Sequence, residues 1–257
     1  MTGLRLLVWQ VRYEQKSYWR NPASAFFTFA FPLVFLIIFA SLNNGSTVRF
    51  LGGLSYNQYF IPAIIAFGVI SATYSSIAIV LSLRRHTGVL KRFRTTPLPA
   101  WAVLGGLVAS AAVVSVIITV LTTALGIVAY GVTFPGHYLA LIAALVVGAT
   151  SFCAVGVMVS TFVPNADAAP AVVNAVFFPI VFLSGTFFPV DPNSTVSHIA
   201  NVFPIRHFNL AVFTAFDPRL PHGTTHGFAW GHLGVMAAWG VGAALVAVRR
   251  FRWEPNR

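Results

Sequence analysis

Long apolar stretches separated by short polar segments dominate the chain. Six of these stretches approach or exceed the roughly 20 residues that a helix needs to cross the hydrocarbon of a bilayer. The pattern therefore predicts an all-α integral membrane protein with six transmembrane helices in one domain. Its segments are an interfacial helix (1–22), helices 1 and 2 (23–83), a basic loop (84–100), helices 3 and 4 (101–163), helix 5 (164–188), an outer region (189–226), helix 6 (227–248) and a tail (249–257).

The first segment is amphipathic. Basic side chains recur on one face at helical spacing, and apolar side chains line another face. Trp9 and Trp19 flank the basic face, at the headgroup depth that indole rings favour. The pattern predicts an interfacial helix, and a simple lipid anchor is the alternative. Its basic residues are Arg5, Arg12, Lys16 and Arg20, and its apolar residues are Leu4, Leu7, Val8, Val11 and Tyr18.

The basic loop separates the second and third predicted crossings. Residues from Arg84 to Arg94 suit one short helix, on which Val89, Leu90 and Phe93 share a side. An exposed apolar side of this kind indicates an interface, so we expect it to dock into a protein groove or to rest on headgroups. The candidate contacts are Gly88, Val89, Leu90, Lys91, Arg92 and Phe93.

Charge supports a membrane orientation. Only 8% of the 257 residues are charged and 57% are hydrophobic, whereas soluble domains carry about 25% charged residues. Lys and Arg total 16 against 5 acidic residues. With both termini in the cytosol, 13 of those 16 lie inside and only Arg49, Arg206 and Arg219 lie outside, as the positive-inside rule expects. The excess of basic residues thus reflects topology in the cytoplasmic membrane and contact with lipid, and no nucleic-acid partner is expected.

The outer region contains two short apolar patterns. Each is too short to cross a bilayer, and a Pro-Ile-Arg-His segment separates them. They predict short re-entrant or surface helices on the outer side, between helices 5 and 6. The first pattern consists of Val196, Ile199 and Phe203, and the second of Phe208, Val212 and Phe216.

Three segments carry a family resemblance. The Gly88-Val89-Leu90 centre of the basic loop, its Thr96-Pro97-Leu98 exit and the Ser184–Pro189 segment resemble permeases of the type-2 ABC exporter class. The resemblance implies that the basic loop is a coupling helix and the first segment a connecting helix. It also implies a translocation surface on helices 2 and 5, and an outer cap. One departure is that Arg84–His86 replaces the glutamates that the family commonly has before the glycine.

The sequence gives no support for catalysis by this chain. Its 257 residues contain no G-x-x-x-x-G-K-[S/T] phosphate loop. The family resemblance implies a separate ATPase, present in two copies, that binds ATP and Mg²⁺. The single Cys153 cannot form an intrachain disulfide. His222, His226 and His232 are interpreted as loop histidines and not as a metal site, because the only nearby carboxylate is Asp217. No cofactor or metal is expected on the chain.

The predicted function is that of the permease subunit of an ATP-driven exporter. No ionisable residue lies deep in a predicted span, which disfavours an ion-coupled carrier. One unit encloses no pathway, so a second permease chain, identical or related, is expected. Aromatic residues suit a hydrophobic drug, lipid or glycolipid-like substrate, although they could equally pack against neighbours. A polysaccharide exporter and a non-transporting scaffold remain alternatives. The candidate path residues are Asn174, Phe178, Phe182 and Phe187.

Overall fold

The computed structural model describes residues 3–95, 98–216 and 224–251. Helices dominate this part of the chain, and the strands form two small hairpins. The elements are α1 (Gly3–Trp19), α2 (Pro22–Leu42), β1 (Thr47–Val48), β2 (Leu54–Ser55), α3 (Tyr56–Ile70), a π-turn (Ser71–Ser75), α4 (Ser76–His86), α5 (Val89–Arg94), α6 (Ala100–Tyr130), α7 (Tyr138–Ser160), α8 (Ala169–Leu183), α9 (Thr195–Ala200), α10 (Pro204–Phe216), β3 (Thr224–Thr225), β4 (Phe228–Ala229) and α11 (Trp230–Arg250).

Five helical segments in the described part are long and apolar enough to cross a membrane. They are α2, α3 with the π-turn and α4, α6, α7 and α11. Helix α8, the predicted fifth crossing, has 15 residues, so its length is about 22 Å against roughly 30 Å of hydrocarbon. The chain is thus a multi-pass membrane protein, and a crossing at α8 stays a prediction.

Helix α3 is the centre of the packed core. Each of its residues except Tyr59 is buried, and it contacts α2, α6, α7 and α10. Small residues permit the close contacts: a Cβ on Gly68 would come within 2.8 Å of Ile118, and one on Gly126 within 2.6 Å of Ile61. A bundle held by such contacts depends on side-chain shape, because lipid offers little hydrophobic drive for helix association.

The basic residues gather at one end of the bundle, which we call the basic end. It comprises α1, α5, the end of α4 and the end of α11 with Arg249 and Arg250. Arg252 and Arg257 of the predicted tail lie outside the described residues, as does the Thr96-Pro97 step.

The opposite end, which we call the capped end, carries α9 and α10. Helices of 6 and 13 residues form in this region, and their place on the outer side stays a prediction. Helix α10 is more deeply buried than a surface helix, since all its residues except Leu210 are buried against α3, α7 and α11. Residues 217–223 of the predicted outer region lie outside the described residues.

Candidate functional site

Helix α1 packs against α6 through polar residues. Gln10 and Glu14 are its buried residues, whereas Leu4 and Val8 of the predicted apolar face are exposed. The contact is close because Gly106 has no side chain, and a Cβ there would overlap Gln10. Gln15 Nε2 donates to the Ser110 carbonyl and hydroxyl, both at 2.9 Å. The most buried side of α1 is therefore polar.

The basic face of α1 remains open. Its four predicted residues are all exposed, and the apolar positions Leu4, Val8 and Trp9 are exposed beside them. This arrangement suits a helix that contacts the bundle with one face and lipid headgroups with the others. The basic residues are Arg5, Arg12, Lys16 and Arg20.

The end of α1 contacts α2. Trp19 stacks on Phe29, with ring centroids 5.6 Å apart and planes 8° apart. Burial raises the pKa of the neighbouring Tyr18 phenol, and its hydrogen bond with Thr28 lowers that pKa by less. The phenol is therefore neutral at physiological pH. These contacts fix α1 relative to the first span.

An ion pair joins α1 to the end of the second span. Arg84 donates from Nη1 to Glu14 Oε1 at 2.7 Å and from Nη2 to Oε2 at 2.6 Å, a bidentate geometry. Gln10 Nε2 donates to Glu14 Oε1 at 3.0 Å. Only 4% of the Glu14 side chain is exposed. The sequence analysis did not identify Glu14 as a residue of this site. An acidic residue four positions after Gln10, in a helix of basic residues, could have indicated a paired side chain.

The basic loop forms two helices instead of one. Helix α4 continues through Arg84, Arg85 and His86, and the chain then turns at Gly88, whose φ of +73° is left-handed. Helix α5 is left with six residues. The predicted single helix from Arg84 to Arg94 is wrong because the left-handed residue interrupts it.

Leu90 faces the membrane domain. Its exposure is 0%, and it packs with Leu81, Leu107 and Cys153. Val89 and Phe93 are half-buried, and Phe93 packs against the same cluster. The expectation that Leu90 is presented to the cytosol is therefore wrong, since its side chain fills a gap within the protomer. Among the α5 side chains that the structure describes, Lys91 and Arg92 are exposed.

An apolar groove separates α5 from α1. Its volume is about 530 Å³, and Phe93 forms one wall and Trp9 and Tyr13 the other. Lys91 and Arg92 lie on the exposed side of the adjoining α5. The basic end thus presents an apolar groove beside charged side chains, which is the composition of an interface.

The remaining span ends meet close by. Arg85 is buried and its Nη2 donates to the Val163 carbonyl after α7. The guanidinium of Arg250 lies 5.0 Å from the Phe162 ring centroid, a cation–π contact between the ends of α11 and α7. These contacts link α4, α7 and α11 at the level of α5.

The four path candidates do not share one surface. Phe187 is 2% exposed and packs on Phe35, Phe67 and Phe182, so it belongs to the core. Phe182 is 51% exposed, while Asn174 and Phe178 are half-buried. Phe187 cannot line a surface of this protomer. The second predicted helix was the other candidate wall of the pathway. Its first part, α3, is also buried, so α4 is the more exposed part of this span.

The Ser184–Pro189 segment ends α8 with a hydrogen-bonded turn. Gly185 has a φ of +83°, and its carbonyl accepts from Tyr59 Oη. Asn209 of α10 donates through Nδ2 to Ser184 Oγ at 3.2 Å and to Thr186 Oγ1 at 2.7 Å. The polar atoms of this break thus find partners inside the protein, as the membrane requires.

Further hydrogen bonds hold α10 in place. Arg206 donates from Nε to Asn201 Oδ1 at 2.9 Å and from Nη2 to Ser197 Oγ at 2.7 Å. His207 Nδ1 lies 2.7 Å from His232 Nδ1 of α11, and its Nε2 lies 2.8 Å from the Asn201 carbonyl. Within the described ranges no group of three His, Cys, Asp or Glu side chains could hold a metal ion, and His222 lies outside them.

Comparison with known families agrees with this architecture. The family model for the ABC-2 type transporter matches residues 5–216. The chain therefore belongs to the ABC-2 type transporter family, and it is a permease component with several membrane spans.

Two groups of curated relatives are similar to part of the chain. The probable multidrug ABC transporter permease YbhR of Escherichia coli K12 is 27% identical over 60% of this chain and 42% of its own length. The inner membrane transport permease YadH of E. coli K12 is 26% identical over 60% of each protein, as is its counterpart in Shigella flexneri. The matched region thus spans about half the length of these relatives.

Proposed function

We propose that the chain is the transmembrane subunit of an ATP-driven exporter. It works with a second permease chain, identical or related, and with two copies of an ABC ATPase that bind ATP and Mg²⁺. The observation that carries the proposal is the basic end, where a short helix bears exposed Lys91 and Arg92 beside an apolar groove. Family membership supports an ATPase as the partner of this surface.

The same observation supports the orientation. The interfacial helix, α5 and the ends of α4 and α11 bring basic residues to one level of the bundle. Under the positive-inside rule this end lies in the cytosol, together with both chain termini as given, and the capped end lies outside. The chain then resides in the cytoplasmic membrane with six crossings, of which α8 is the shortest.

Coupling would run through the contacts at the basic end. ATP-driven closure of the ATPase pair presses on α5 and the groove, and α5 moves with α4 because Leu90 packs against Leu81. The Glu14–Arg84 pair transmits the same displacement to α1. Alternating access follows if the bundle then rocks against the second permease chain.

The exposed side of α8 is the candidate wall of the pathway. Phe182, with half-buried Phe178 and Asn174 on the same helix, offers an aromatic face towards a second permease chain. Such a face suits a hydrophobic drug, a lipid or a glycolipid-like substrate, and the name of one relative points to multidrug transport. Movement is proposed to be outward.

Transport in vesicles tests the proposal. The chain and its ATPase would be reconstituted in liposomes that contain a fluorescent lipid, and outward movement would be followed after addition of Mg-ATP. We expect movement that depends on ATP and stops when the phosphate-loop lysine of the ATPase is replaced. If the chain binds its ATPase but no cargo moves with ATP, the molecule is a scaffold and the exporter proposal is wrong.

A further inference from the structure

A cavity with both polar and apolar walls lies at the basic end of the bundle. It occupies about 440 Å³ between α1, the start of α2, the π-turn, α4 and α6. This volume falls within the range of small-molecule pockets, and the mixture of walls is typical of them. It is separate from the groove between α1 and α5 and from the exposed face of α8, so the proposed transport function does not account for it.

The cavity reaches far into the membrane region. Arg84 lines it at the end of α4, and Ser71 lines it at the start of the π-turn, 13 residues earlier. At 1.5 Å per residue this separation is about 20 Å, roughly two thirds of the hydrocarbon thickness. If Arg84 lies at the membrane surface, the cavity would therefore extend past the bilayer centre.

Serine residues are frequent in the lining of the cavity. They are Ser71 and Ser75 of the π-turn, Ser76 of α4 and Ser110 of α6. Ser75 Oγ is buried and has no hydrogen-bond partner among the residues that the structure describes. By contrast, Thr73 and Ser82 of the same span donate to the carbonyl four residues earlier.

The other lining residues indicate which chemical groups a ligand of the cavity would carry. Phe27, Ile79 and Val80 offer apolar contacts. Glu14 and Arg84 neutralise each other through their bidentate pair, so the cavity presents hydroxyl groups and no unpaired charge at this point. A neutral ligand group can hydrogen-bond to the serine hydroxyl groups of this lining.

We propose that this cavity binds a lipid-like amphiphile through neutral hydrogen-bonding groups, such as ester carbonyls or hydroxyls, with an alkyl chain against its apolar wall. The ligand could be a resident lipid of the inner leaflet or the cargo itself, and both have this chemistry. Binding does not depend on the transport proposal. Only the assignment of the ligand as cargo rests on the proposed function.

Photo-crosslinking tests the site. The full chain with its ATPase, in lipid nanodiscs, would be exposed to a monoacylglycerol with a diazirine in its acyl chain, a probe with a neutral head. We expect saturable labelling, mapped by mass spectrometry to peptides containing Ser71–Val80 and Leu107–Val114. The unlabelled compound should compete for it. Unsaturable labelling that also covers the exposed face of α6 around Val120 would overturn the proposal.

Hydroxyl deletion sharpens the test. Ser71→Ala with Ser75→Ala should weaken the apparent probe affinity about tenfold while thermal unfolding stays unchanged, because these substitutions remove no packing. Ser115→Ala is the matched control, since its buried hydroxyl donates to the Ala111 carbonyl and does not line the cavity. Equal affinity of the double variant and this control would contradict the assigned role of the hydroxyls.

Addition of ATP distinguishes a cargo molecule from a resident lipid. A cargo molecule should leave the cavity during turnover, so labelling should fall with Mg-ATP and recover when hydrolysis is blocked. A resident lipid should label to the same extent in all nucleotide states. If ATP drives no transport but labelling stays saturable, the exporter proposal fails and the binding site stands.

Discussion

The two ends of the bundle are held together in different ways. At the capped end, α10 is buried along nearly its whole length, and Arg206, His207 and Asn209 bond to α9, to α11 and to the segment after α8. At the basic end, α1 buries only two residues, and α5 is a six-residue helix anchored by Leu90. The first end is held by many hydrogen bonds. At the second end, one small apolar cluster holds α5, and an ion pair with a few hydrogen bonds holds α1.

This difference suggests a division of labour. Coupling between a motor and a bundle requires an element that moves as a unit and transmits its displacement to a few fixed contacts. The basic end has that design, because α5 is joined to α4 by Leu90 and α1 is joined to α4 by Glu14. The capped end would instead hold the spans at fixed distances while the other end moves.

The largest effect is expected at Leu90. Leu90→Ala leaves a cavity among Leu81, Leu107 and Cys153, so the free energy of unfolding should fall by about 3 kcal/mol. Lys91→Ala, one residue away and exposed, should change it by less than about 0.5 kcal/mol. Thermal unfolding in detergent measures both. Unchanged stability of Leu90→Ala with loss of ATPase binding would show that Leu90 faces the partner after all.

A slightly smaller effect is expected at the ion pair. Glu14→Gln leaves the Arg84 guanidinium partly buried without its counter-charge, which should cost about 2 to 3 kcal/mol because 16% of Arg84 is still exposed to solvent. Adding Arg84→Gln should recover part of the loss. Arg12→Gln, on the open face of α1, is the control and should be neutral. Additive losses in a double-mutant cycle would contradict a direct interaction.

Substitution of one glycine at each end allows a direct comparison of their effects on stability. Gly88→Ala and Gly185→Ala each place a side chain at a positive φ, which costs about 1 to 2 kcal/mol. A Cβ on Gly88 meets open space, whereas one on Gly185 comes within 3.1 Å of Tyr59 Oη. We therefore expect the Gly185→Ala variant to be less stable than the Gly88→Ala variant by about 1 kcal/mol. Equal melting temperatures would mean that the capped end is as tolerant as the basic end.

The sequence predicted the elements better than their faces. Runs of apolar residues gave the five long spans and the hairpin of α6 and α7, because hydrocarbon thickness sets a minimum length. The same rule does not show which neighbour an apolar helix face packs against. Val89, Leu90 and Phe93 form one apolar side of α5 whether that side meets a partner or the chain's own Leu107, so periodicity could not distinguish the two.

Long-range polar contacts were also beyond the sequence. The bundle contacts α1 on the side of Glu14 and Gln15, where Arg84 pairs with Glu14 and Ser110 accepts hydrogen bonds from Gln15. Those partners lie 70 and 95 residues away in the chain. The burial of Phe187 likewise depends on neighbours such as Phe67 that only the folded bundle brings close.

The smallest effect on stability, and a specific effect on coupling, is expected for the exposed charges of α5. Lys91→Glu with Arg92→Glu should leave unfolding unchanged within about 0.5 kcal/mol, because neither side chain is packed. If these cations meet an acidic surface of the ATPase, reversing them should weaken ATPase binding at least about tenfold at low salt, or 1.4 kcal/mol, and the difference should shrink as salt rises.

Arg5→Glu with Arg12→Glu, on the open face of α1, is the matched charge-reversal control and should affect lipid contact more than ATPase binding. Affinity of the purified chain for its ATPase, measured at two salt concentrations, decides the matter. Normal binding by the α5 variant would move the docking contact to the apolar groove around Phe93, where the Trp9 and Tyr13 side chains could be tested next.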